Sequence, residues 1–407
     1  MKKVLIIGAG GVGHIVAHKC AKNSDVFSHI MIASRTFQKC QRIMDDINKR
    51  NESPIPLISV SPIDAGDVNA LQKLIQSFQA DILITCSDPY LNSPIMEACI
   101  REKIHYIDTS ISEKEGEINL PPDKWYELQY TYADGFKKAG VVAGIGLGSD
   151  PGMVNIFCSY SQKYLFDQID SIRIMDINDG DHGFRFATNF NPEVNLKEIF
   201  EDPHYWSNKK WHRIQPHSKS MVFDFPEIGK RKIYTMGHDE VHSLYRTINA
   251  NHVEFLMGFS DDYIQYFKAL MDIGLLSVYP VRLDDGRSVV PLKVVKAVLP
   301  DPSSLAKNYK GKVCIGCLID GYKEGKYKKI FIYNITDHEE TYKETGSQAI
   351  SYTAGVPAVT SAILIAKKLW HSPGMHHAEE FNPDPFMEEI VKQGLPWKII
   401  DKTNEHE

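Results

Sequence analysis

A glycine-rich turn between a predicted strand and a predicted helix constrains the fold of this chain more than any other feature. Residues 3–8 are apolar enough for a buried strand, and residues 11–22 have the pattern of a helix. The turn between them matches the spacing G-x-G-x-x-G. In that context, such a turn binds the diphosphate of a dinucleotide at the helix N-terminus. The sequence therefore predicts a dinucleotide site that includes Gly8, Gly10, Gly11, Val12 and Gly13.

Short apolar strands and helices alternate through the first 150 residues. Further strands are predicted at 30–34, 57–60, 81–85, 104–107 and 141–143, and the helices between them at 36–49, 67–77, 91–102 and 125–138. This alternation is typical of βαβ units in a doubly wound parallel sheet. We expect an α/β Rossmann domain with six strands over residues 1–150.

After residue 150, predicted strands dominate. They fall at 168–177, 221–225, 290–299, 312–320 and 328–335, with helices at 153–163, 194–201 and 261–273. We expect residues 151–348 to form an α+β domain with a mostly antiparallel sheet for substrate binding and dimerisation. A small-residue helix at 355–369 is apolar along nearly its whole length, and we expect the segment 349–407 to pack back on the first domain.

Charge and cysteine usage exclude several classes of protein. The formal net charge of -6 argues against a protein that binds nucleic acid or an anionic membrane, since both favour basic surfaces. No stretch approaches 18 apolar residues, so no membrane span is expected. The apolar start ends at Gly8, too soon for a signal peptide, and seven scattered cysteines are not a disulfide framework. We expect a cytoplasmic protein.

The end of the second strand indicates which dinucleotide is bound. An NAD site would place Asp or Glu there, to accept hydrogen bonds from the ribose hydroxyls. This chain has Ser34, Arg35 and Thr36 instead. The hydroxyls can donate to a 2′-phosphate and the guanidinium can pair with it, so NADP(H) is the predicted cofactor. A solvated Arg35 at the helix start is the alternative.

Polar residues also follow the other predicted strands. Open α/β sheets bind their ligands at the carboxyl ends of the strands. The residues found there, after the third, fourth and fifth strands, are Asp64 and Ala65, then Cys86, Ser87, Asp88, Pro89 and Tyr90, and finally Thr109 and Ser110. We predict cofactor contacts for this set, with the first pair beside the adenine.

Several motifs resemble the saccharopine dehydrogenase family. They are the glycine-rich start with residues 34–36, and the stretches 148–153 and 351–357. The stretches 188–196, 237–244 and 379–386 resemble one branch of it, and the resemblance spans nearly the whole chain. It implies a homodimer that catalyses NADPH-dependent reductive condensation in polyamine biosynthesis. There, a diamine (diaminopropane or putrescine) forms an imine with L-aspartate 4-semialdehyde, and NADPH reduces the imine to a secondary amine.

Such chemistry needs a general base for the attacking amine and an acid that keeps the imine protonated, beside the nicotinamide. Asp150 follows the sixth strand at the carboxyl edge of the sheet and is the leading candidate. Its alternative role is the N-cap of the helix at 153–163, with Pro151 in the first turn. In an extended stretch, His238, Glu240 and His242 would share one face and form an acid–base and amine-binding cluster. A solvated polar face is the alternative.

Substrate charges need receptors of opposite sign. Arg185 is the first candidate for the amino-acid carboxylate, because arginine binds carboxylates bidentately, with Arg246 and Lys293 in reserve. Asn189 and Asn191, in the branch-specific motif, are further substrate-binding candidates. Glu193 or Asp239 are the candidates for the distal ammonium.

No metal site is predicted. The two cysteines of Cys314-Ile315-Gly316-Cys317 should point to opposite faces of a strand, and His376 and His377 are predicted to be exposed.

Two other functions remain open. One is a different imine reductase of the same family, such as a saccharopine reductase. The other is a protein that senses NADP without catalysing a reaction.

Overall fold

A computed structural model describes residues 1–50, 56–114 and 116–405. The strands in this part of the chain are β1 Lys2–Ile7, β2 Phe27–Ser34, β3 Leu57–Pro62, β4 Ile82–Thr85, β5 His105–Ile107, β6 Val142–Ile145, β7 Gln168–Asn178, β8 His204–Ser207, β9 Lys210–Arg213, β10 Ser220–Phe225, β11 Gly229–Met236, β12 His252–Gly258, β13 Val281–Arg282, β14 Ser288–Val289, β15 Lys312–Lys323, β16 Lys326–Asp337, β17 Gly374–His377 and β18 Trp397–Asp401. The α-helices are α1 Gly11–Lys22, α2 Phe37–Arg50, α3 Val68–Phe78, α4 Asn92–Glu102, α5 Glu127–Tyr130, α6 Ala133–Ala139, α7 Met153–Tyr164, α8 Pro192–Phe200, α9 Val241–Thr247, α10 Asp261–Asp272, α11 Pro291–Val298, α12 His338–Thr345, α13 Ala349–Ala366 and α14 Pro383–Lys392.

The first half of the chain forms the predicted doubly wound sheet. Its strands run in the order β17-β6-β5-β4-β1-β2-β3, and every pairing is parallel. The apolar residues of β1 and β4 are buried on both faces, as helices on both sides require. Among the described residues the sheet has seven strands instead of the expected six, because β17 from the C-terminal segment adds to the edge at β6.

The second sheet is mostly antiparallel, as predicted, and strongly curled. Its main path is β10-β11-β12-β7-β15-β16-β18, with one parallel pair between β7 and β12. The rings of Phe223 in β10 and Phe331 in β16 lie 4.9 Å apart, although four strands separate these two in the sheet. One face of the sheet is therefore rolled inward around its own apolar side chains, and the other packs on α7 and α13.

Two sequence predictions about local structure are wrong. Residues 290–299 form helix α11 instead of a strand, since Pro291 occupies the first turn of a helix whose apolar side includes buried Leu292 and Val295. The helix predicted at 125–138 is split into α5 and α6. The C-terminal segment contacts the first domain through β17 and α13, and its last strand, β18, also pairs with β16 of the second sheet.

Helix α13 is buried between the two sheets. By length and composition, this helix of 18 residues could cross a membrane, which the count of consecutive apolar residues did not indicate. However, 83% of these residues are buried inside the protein. It contacts α1, the helix that follows the glycine-rich turn. Lys19 of α1 donates hydrogen bonds to Glu344, Tyr352 and the carbonyl of Gln393, so the C-terminal segment fixes the position of that helix.

Candidate active site

One cavity of about 730 Å³ joins the carboxyl edge of the first sheet to the second sheet. Its first wall consists of residues that follow β1, β2, β4, β5 and β6, where an open α/β sheet binds ligands. Its far wall comes from β7, α8, the segment before α9 and residues 299–303. A ligand that extends from the glycine-rich turn therefore reaches side chains of both halves of the protein.

The glycine-rich turn is built as the sequence predicts. Gly8 has a φ of 110°, and a Cβ there would lie 2.5 Å from the carbonyl oxygen of Cys86. A Cβ on Gly13 would lie 2.0 Å from the carbonyl oxygen of Gly8, so this glycine allows the helix to approach the strand. A Cβ on Gly10 would meet nothing within 4 Å. Gly10, Gly11 and Val12 line the cavity, whereas Gly13 lies behind it.

These differences predict opposite outcomes for two alanine variants. Gly13→Ala cannot be accommodated without moving the turn, so we expect loss of soluble folded protein or a melting temperature lower by roughly 5 °C or more. Gly10→Ala should fold normally, because its methyl group enters open space, but it should weaken NADPH binding at least about tenfold by obstructing the diphosphate. Thermal melts and fluorescence titration with NADPH would measure both. Normal NADPH affinity in Gly10→Ala would show that the diphosphate does not lie on this turn.

The end of β2 forms a cationic corner of the cavity. Ser34, Arg35 and Thr36 all line it. The Arg35 side chain is 72% exposed, and its nearest acid is Asp88, at 3.9 Å. Lys39, one turn into α2, lines the same corner and lies 3.6 Å from Asp301. Lys39 was not identified from the sequence. Its position on the exposed face of the first turn of α2 could have indicated a second cation near the phosphate.

Most of the other predicted cofactor residues also lie on the cavity wall. These are Ala65, Cys86, Ser87, Asp88, Pro89, Thr109 and Ser110. Asp64 does not, since its exposed carboxylate turns back to accept a hydrogen bond from the Gly66 amide. Tyr90 lines a separate small cavity of about 210 Å³.

The second half of the chain closes over the predicted cofactor site. The Asn191 side chain donates to Asp88 at 2.6 Å, and Asn189 also lines the cavity. Residues 299–303 cover the corner at Lys39. The two asparagines, predicted as substrate ligands, thus lie beside the predicted cofactor loop. The position of residues 299–303 over this corner could not be predicted from sequence spacing.

Three carboxylates without partners line the part of the cavity beyond the first sheet. They are Asp150 in the turn after β6, Asp176 on β7 and Glu198 on α8, and we call them the acidic chamber. In the described part of the chain, none of the three is hydrogen-bonded or ion-paired. Burial raises the pKa of Asp176 to about 7 and that of Glu198 to about 8. Burial and the nearby Asp176 carboxylate raise the pKa of Asp150 well above its ordinary range.

Asp176 and Glu198 were missed by sequence reasoning. On β7, Ile172, Ile174 and Asp176 alternate on the face that packs on the core, so a carboxylate stands where the pattern requires an apolar side chain. That break in alternation was a signal. For Glu198 no comparable signal exists, because a polar residue on a helix is usually exposed. The alternative role for Asp150 is wrong, since α7 begins at Met153 with Gly152 as its N-cap.

His238 provides the only imidazole in this chamber among the described residues. Its Nδ1 lies 2.6 Å from Oε2 of Glu240, a fully buried carboxylate. Burial alone would lower the pKa of His238, but Glu240 and the surrounding acids raise it well above the ordinary value. Nδ1 is engaged by Glu240, which leaves Nε2 for a ligand in the cavity. Glu240 and the surrounding acids thus favour the protonated imidazole, which can donate from Nε2.

His242 does not join this cluster. Residues 238–242 are not a continuous extended stretch, because α9 begins at Val241 with Glu240 as its N-cap. The His242 ring stacks on Trp125 and Trp211, and its Nδ1 donates to the carbonyl of Pro122. The predicted shared face of His238, Glu240 and His242 is therefore wrong, and only the first two are in contact.

Asp239 lines the cavity but holds a loop in place. Its two oxygens accept hydrogen bonds from the Ile111 amide and from Nε1 of Trp125. The polar, proline-containing sequence of residues 112–124 predicts a surface loop, but Glu113 of this segment lines the cavity. Residue 115 lies outside the described residues. Asp239 thus secures the loop that closes this side of the cavity, with one hydrogen bond accepted by each of its oxygens.

The remaining predicted substrate residues lie outside the main cavity. Arg185 is exposed and contacts the Tyr266 hydroxyl. Glu193 pairs with Lys296 at 3.0 Å and faces the small cavity, which Lys293 also lines. Arg246 packs over the rings of Tyr130 and Tyr245. The structure does not bring any of these side chains to the acidic chamber.

The cysteine and histidine predictions had mixed outcomes. Cys314 and Cys317 point into different core clusters, as expected for residues three apart in a strand. His377 is buried and contacts the Tyr130 hydroxyl, so its predicted exposure is wrong. His14, His18 and Asp46 come together on α1 and α2, which the sequence did not suggest. Arg50 donates to both oxygens of Asp46, which places a positive charge beside that group.

Comparison with known proteins identifies the family. Residues 4–143 match the model of the saccharopine dehydrogenase NADP binding domain, and residues 148–395 match that of the saccharopine dehydrogenase C-terminal domain. The chain belongs to the saccharopine dehydrogenase family. The predicted family and the predicted cofactor, NADP(H), are therefore both confirmed.

Two relatives with assigned names match over nearly the whole chain. Carboxynorspermidine synthase of Vibrio cholerae is 46% identical over 400 residues, which cover 98% of this chain and 97% of the relative. Carboxyaminopropylagmatine dehydrogenase of Synechocystis is 42% identical over 404 residues, 98% of each chain. Among solved structures, the L-Glu-forming saccharopine dehydrogenase of Saccharomyces cerevisiae matches with a TM-score of 0.72 at 14% identity, over 98% of this chain and 100% of that chain, which confirms the fold.

Proposed function

We propose that this protein is a carboxynorspermidine synthase-type enzyme. It would condense a diamine with L-aspartate 4-semialdehyde and reduce the resulting imine with NADPH. The observation that carries the proposal is one continuous cavity that leads from the cationic NADP corner to three unpartnered carboxylates. An acidic chamber of this kind favours the binding of ligands with cationic nitrogen atoms. The 46% sequence identity to the carboxynorspermidine synthase of Vibrio cholerae supports the same reaction.

The charges of the reaction match the charges of the chamber. Attack by the amine on the aldehyde forms a C–N bond, and loss of water gives an iminium ion. Bound NADPH supplies the hydride that reduces this carbon. The substrates then present three positive centres: the iminium, the distal ammonium and the α-ammonium of the amino acid. Asp150, Asp176 and Glu198 provide three carboxylates to stabilise them.

The protons of the reaction need a donor and an acceptor. A primary amine has an ordinary pKa near 10.4, so one end of the diamine must lose a proton before it attacks. Asp150 lies at the carboxyl end of β6, beside the predicted nicotinamide position, and when ionised it can accept that proton. His238, held protonated by Glu240, can donate from Nε2 to the departing hydroxyl. This completes the loss of water.

A substrate panel tests the proposal. Purified enzyme with NADPH and aspartate semialdehyde is given diaminopropane, putrescine, agmatine or lysine, and NADPH oxidation is followed at 340 nm. We expect oxidation that depends on both the aldehyde and a diamine. NADPH oxidation that requires lysine together with a ketoacid, in place of the diamine and the semialdehyde, would indicate a saccharopine reductase. No oxidation with any amine, despite tight NADPH binding, would contradict the proposal and favour a sensing role.

The homodimer and the cytoplasmic location remain part of this proposal. Light scattering of the purified protein would test the first, with a mass near twice 46.1 kDa as the expected result.

A further inference from the structure

We propose that Glu198 binds the distal ammonium of the amine substrate and so selects diamines over monoamines. This inference rests on the proposed function and assigns the far end of the same cavity. Glu198 lies on α8, in the second half of the chain, and Asp150 lies at the edge of the first sheet. The two carboxylates thus belong to opposite walls of the chamber.

Glu198 differs from its acidic neighbours because it makes no ion pair with a lysine. Two other acids lie nearby, Glu113 on the closing loop and Glu201 one turn along α8. Lys197 pairs with both of them, with its Nζ in a short contact to Glu113 and 3.6 Å from Glu201. Glu198 lines the cavity and makes no direct hydrogen bond or ion pair in the described ranges, although His238 and Lys197 are close enough to act on its charge. Its carboxylate is therefore available for direct contact with a ligand cation.

Another wall of the chamber, at β7, carries an independent sign of the same chemistry. Asp176 is 8% exposed and lines the cavity, and its Oδ1 has no hydrogen-bond partner within the part of the chain that the structure describes. An unpartnered buried carboxylate costs stability unless a ligand neutralises it. Asp176 therefore indicates that the chamber is built to hold cations at more than one point.

Apolar side chains flank Asp176 on the cavity wall. Met257 on β12 and Ile315 on β15 are the neighbours of Asp176 in the sheet, and both line the cavity. A short methylene chain fits against such walls. The amine would then lie with its reacting nitrogen near Asp150 and Asp176, and with its far nitrogen at Glu198. The aldehyde carboxylate is excluded from the Glu198 end by repulsion.

The test compares a diamine with a monoamine of the same length. Wild-type enzyme, Glu198→Gln and Glu388→Gln are assayed with diaminopropane and with propylamine. In Glu198→Gln we expect kcat/KM for diaminopropane to fall about 100-fold, to nearly the value for propylamine, because a hydrogen bond to a charged group is lost. The propylamine value should change less than about threefold. Glu388→Gln makes the same chemical change at an exposed position of α14 that does not line the cavity, and should leave both values unchanged.

Two outcomes would overturn the assignment. Equal losses for both amines would mean that Glu198 supports the fold or the chemistry and does not read the distal charge. An unchanged preference for the diamine would place the distal ammonium elsewhere. Either result leaves the proposed function intact, because the wild-type reaction is measured in the same series.

A measurement of diaminopropane binding tests the role of Glu198 even if the wild-type enzyme shows no NADPH oxidation. Calorimetry of diaminopropane with NADP-saturated wild type and Glu198→Gln should show binding that the substitution weakens about 100-fold. If wild type binds diaminopropane normally but reduces nothing, the proposed function fails and the subsite stands. If wild type and variant bind it equally, the subsite fails.

A stability measurement confirms that the variant folds. Burial raises the pKa of Glu198 to about 8, so the folded state holds this proton more tightly than the unfolded state. The free energy of unfolding of the empty wild type should then fall as the pH rises from about 4.5 to 8. Glu198→Gln lacks that penalty, so it should melt roughly 2–5 °C above wild type at pH 8.5 and equally near pH 5. A lower melting temperature at pH 8.5 would show that Glu198 is structurally required.

Discussion

Replacing Arg35 by aspartate should reduce kcat/KM for NADPH by about 100- to 1,000-fold and leave that for NADH unchanged or improved. The guanidinium lies on the cavity wall just after β2, and 72% of the side chain is exposed. Its nearest acid, Asp88, is 3.9 Å away, too far for a close hydrogen bond, so the guanidinium is available to a 2′-phosphate. The substitution removes a charge-assisted hydrogen bond and adds a carboxylate that repels the phosphate. Steady-state kinetics with both cofactors measure the ratio.

A matched control separates this effect from a change in net charge. Arg42 lies on α2, the helix that follows Arg35, is exposed and does not line the cavity. Arg42→Asp makes the same change in charge and should leave both cofactors unaffected. Lys39→Ala, at the corner beside Arg35, should weaken NADPH about tenfold and NADH hardly at all. Equal losses for the two cofactors in Arg35→Asp would show that this residue does not recognise the phosphate.

Replacing His238 by asparagine should lower kcat by about 10³-fold with a small change in KM for the amine. The side chain is the candidate proton donor in the chamber, and a positioned general acid contributes about 10²- to 10⁴-fold. NADPH binding should remain normal, because His238 lies beyond the first sheet. A loss confined to KM would make His238 a binding residue instead of a proton donor.

The pH profile of a second variant tests the role of Glu240. Glu240 raises the pKa of His238 by holding its Nδ1 proton. Glu240→Gln removes this negative charge, so the imidazolium should lose its proton at lower pH. We expect the alkaline limb of the kcat/KM profile to shift to lower pH, while the acid limb moves little. An unchanged alkaline limb would show that His238 is not the group whose protonation limits the rate.

The cofactor half of the site was predictable from the sequence because it depends on local patterns. The glycine spacing, the strand before it and the residues after β2 are each contiguous, and open sheets place such loops at one edge. Asp64 and Tyr90 failed because position after a strand does not fix the direction of a side chain. Asp64 instead accepts a hydrogen bond from its own turn.

The substrate half was less predictable because it is assembled from distant segments. Asp176 and Glu198 come from a strand and a helix that meet only in the folded chain, and the closing loop is held by Asp239 from more than 100 residues away. His242 was misplaced because a helix begins within the supposedly extended stretch. Alternation of polar residues predicts a shared face only where the backbone stays extended.

Isotope transfer tests the proposed reaction most directly. The enzyme is given NADPH carrying deuterium in the transferred position, together with diaminopropane and aspartate semialdehyde, and the products are analysed by mass spectrometry. We predict a secondary amine with the mass of both substrates less one water plus one deuterium and one proton, and the deuterium on the carbon bonded to the new nitrogen. Deuterium found instead in the alcohol of the aldehyde, with no C–N bond formed, would contradict reductive condensation in this cavity.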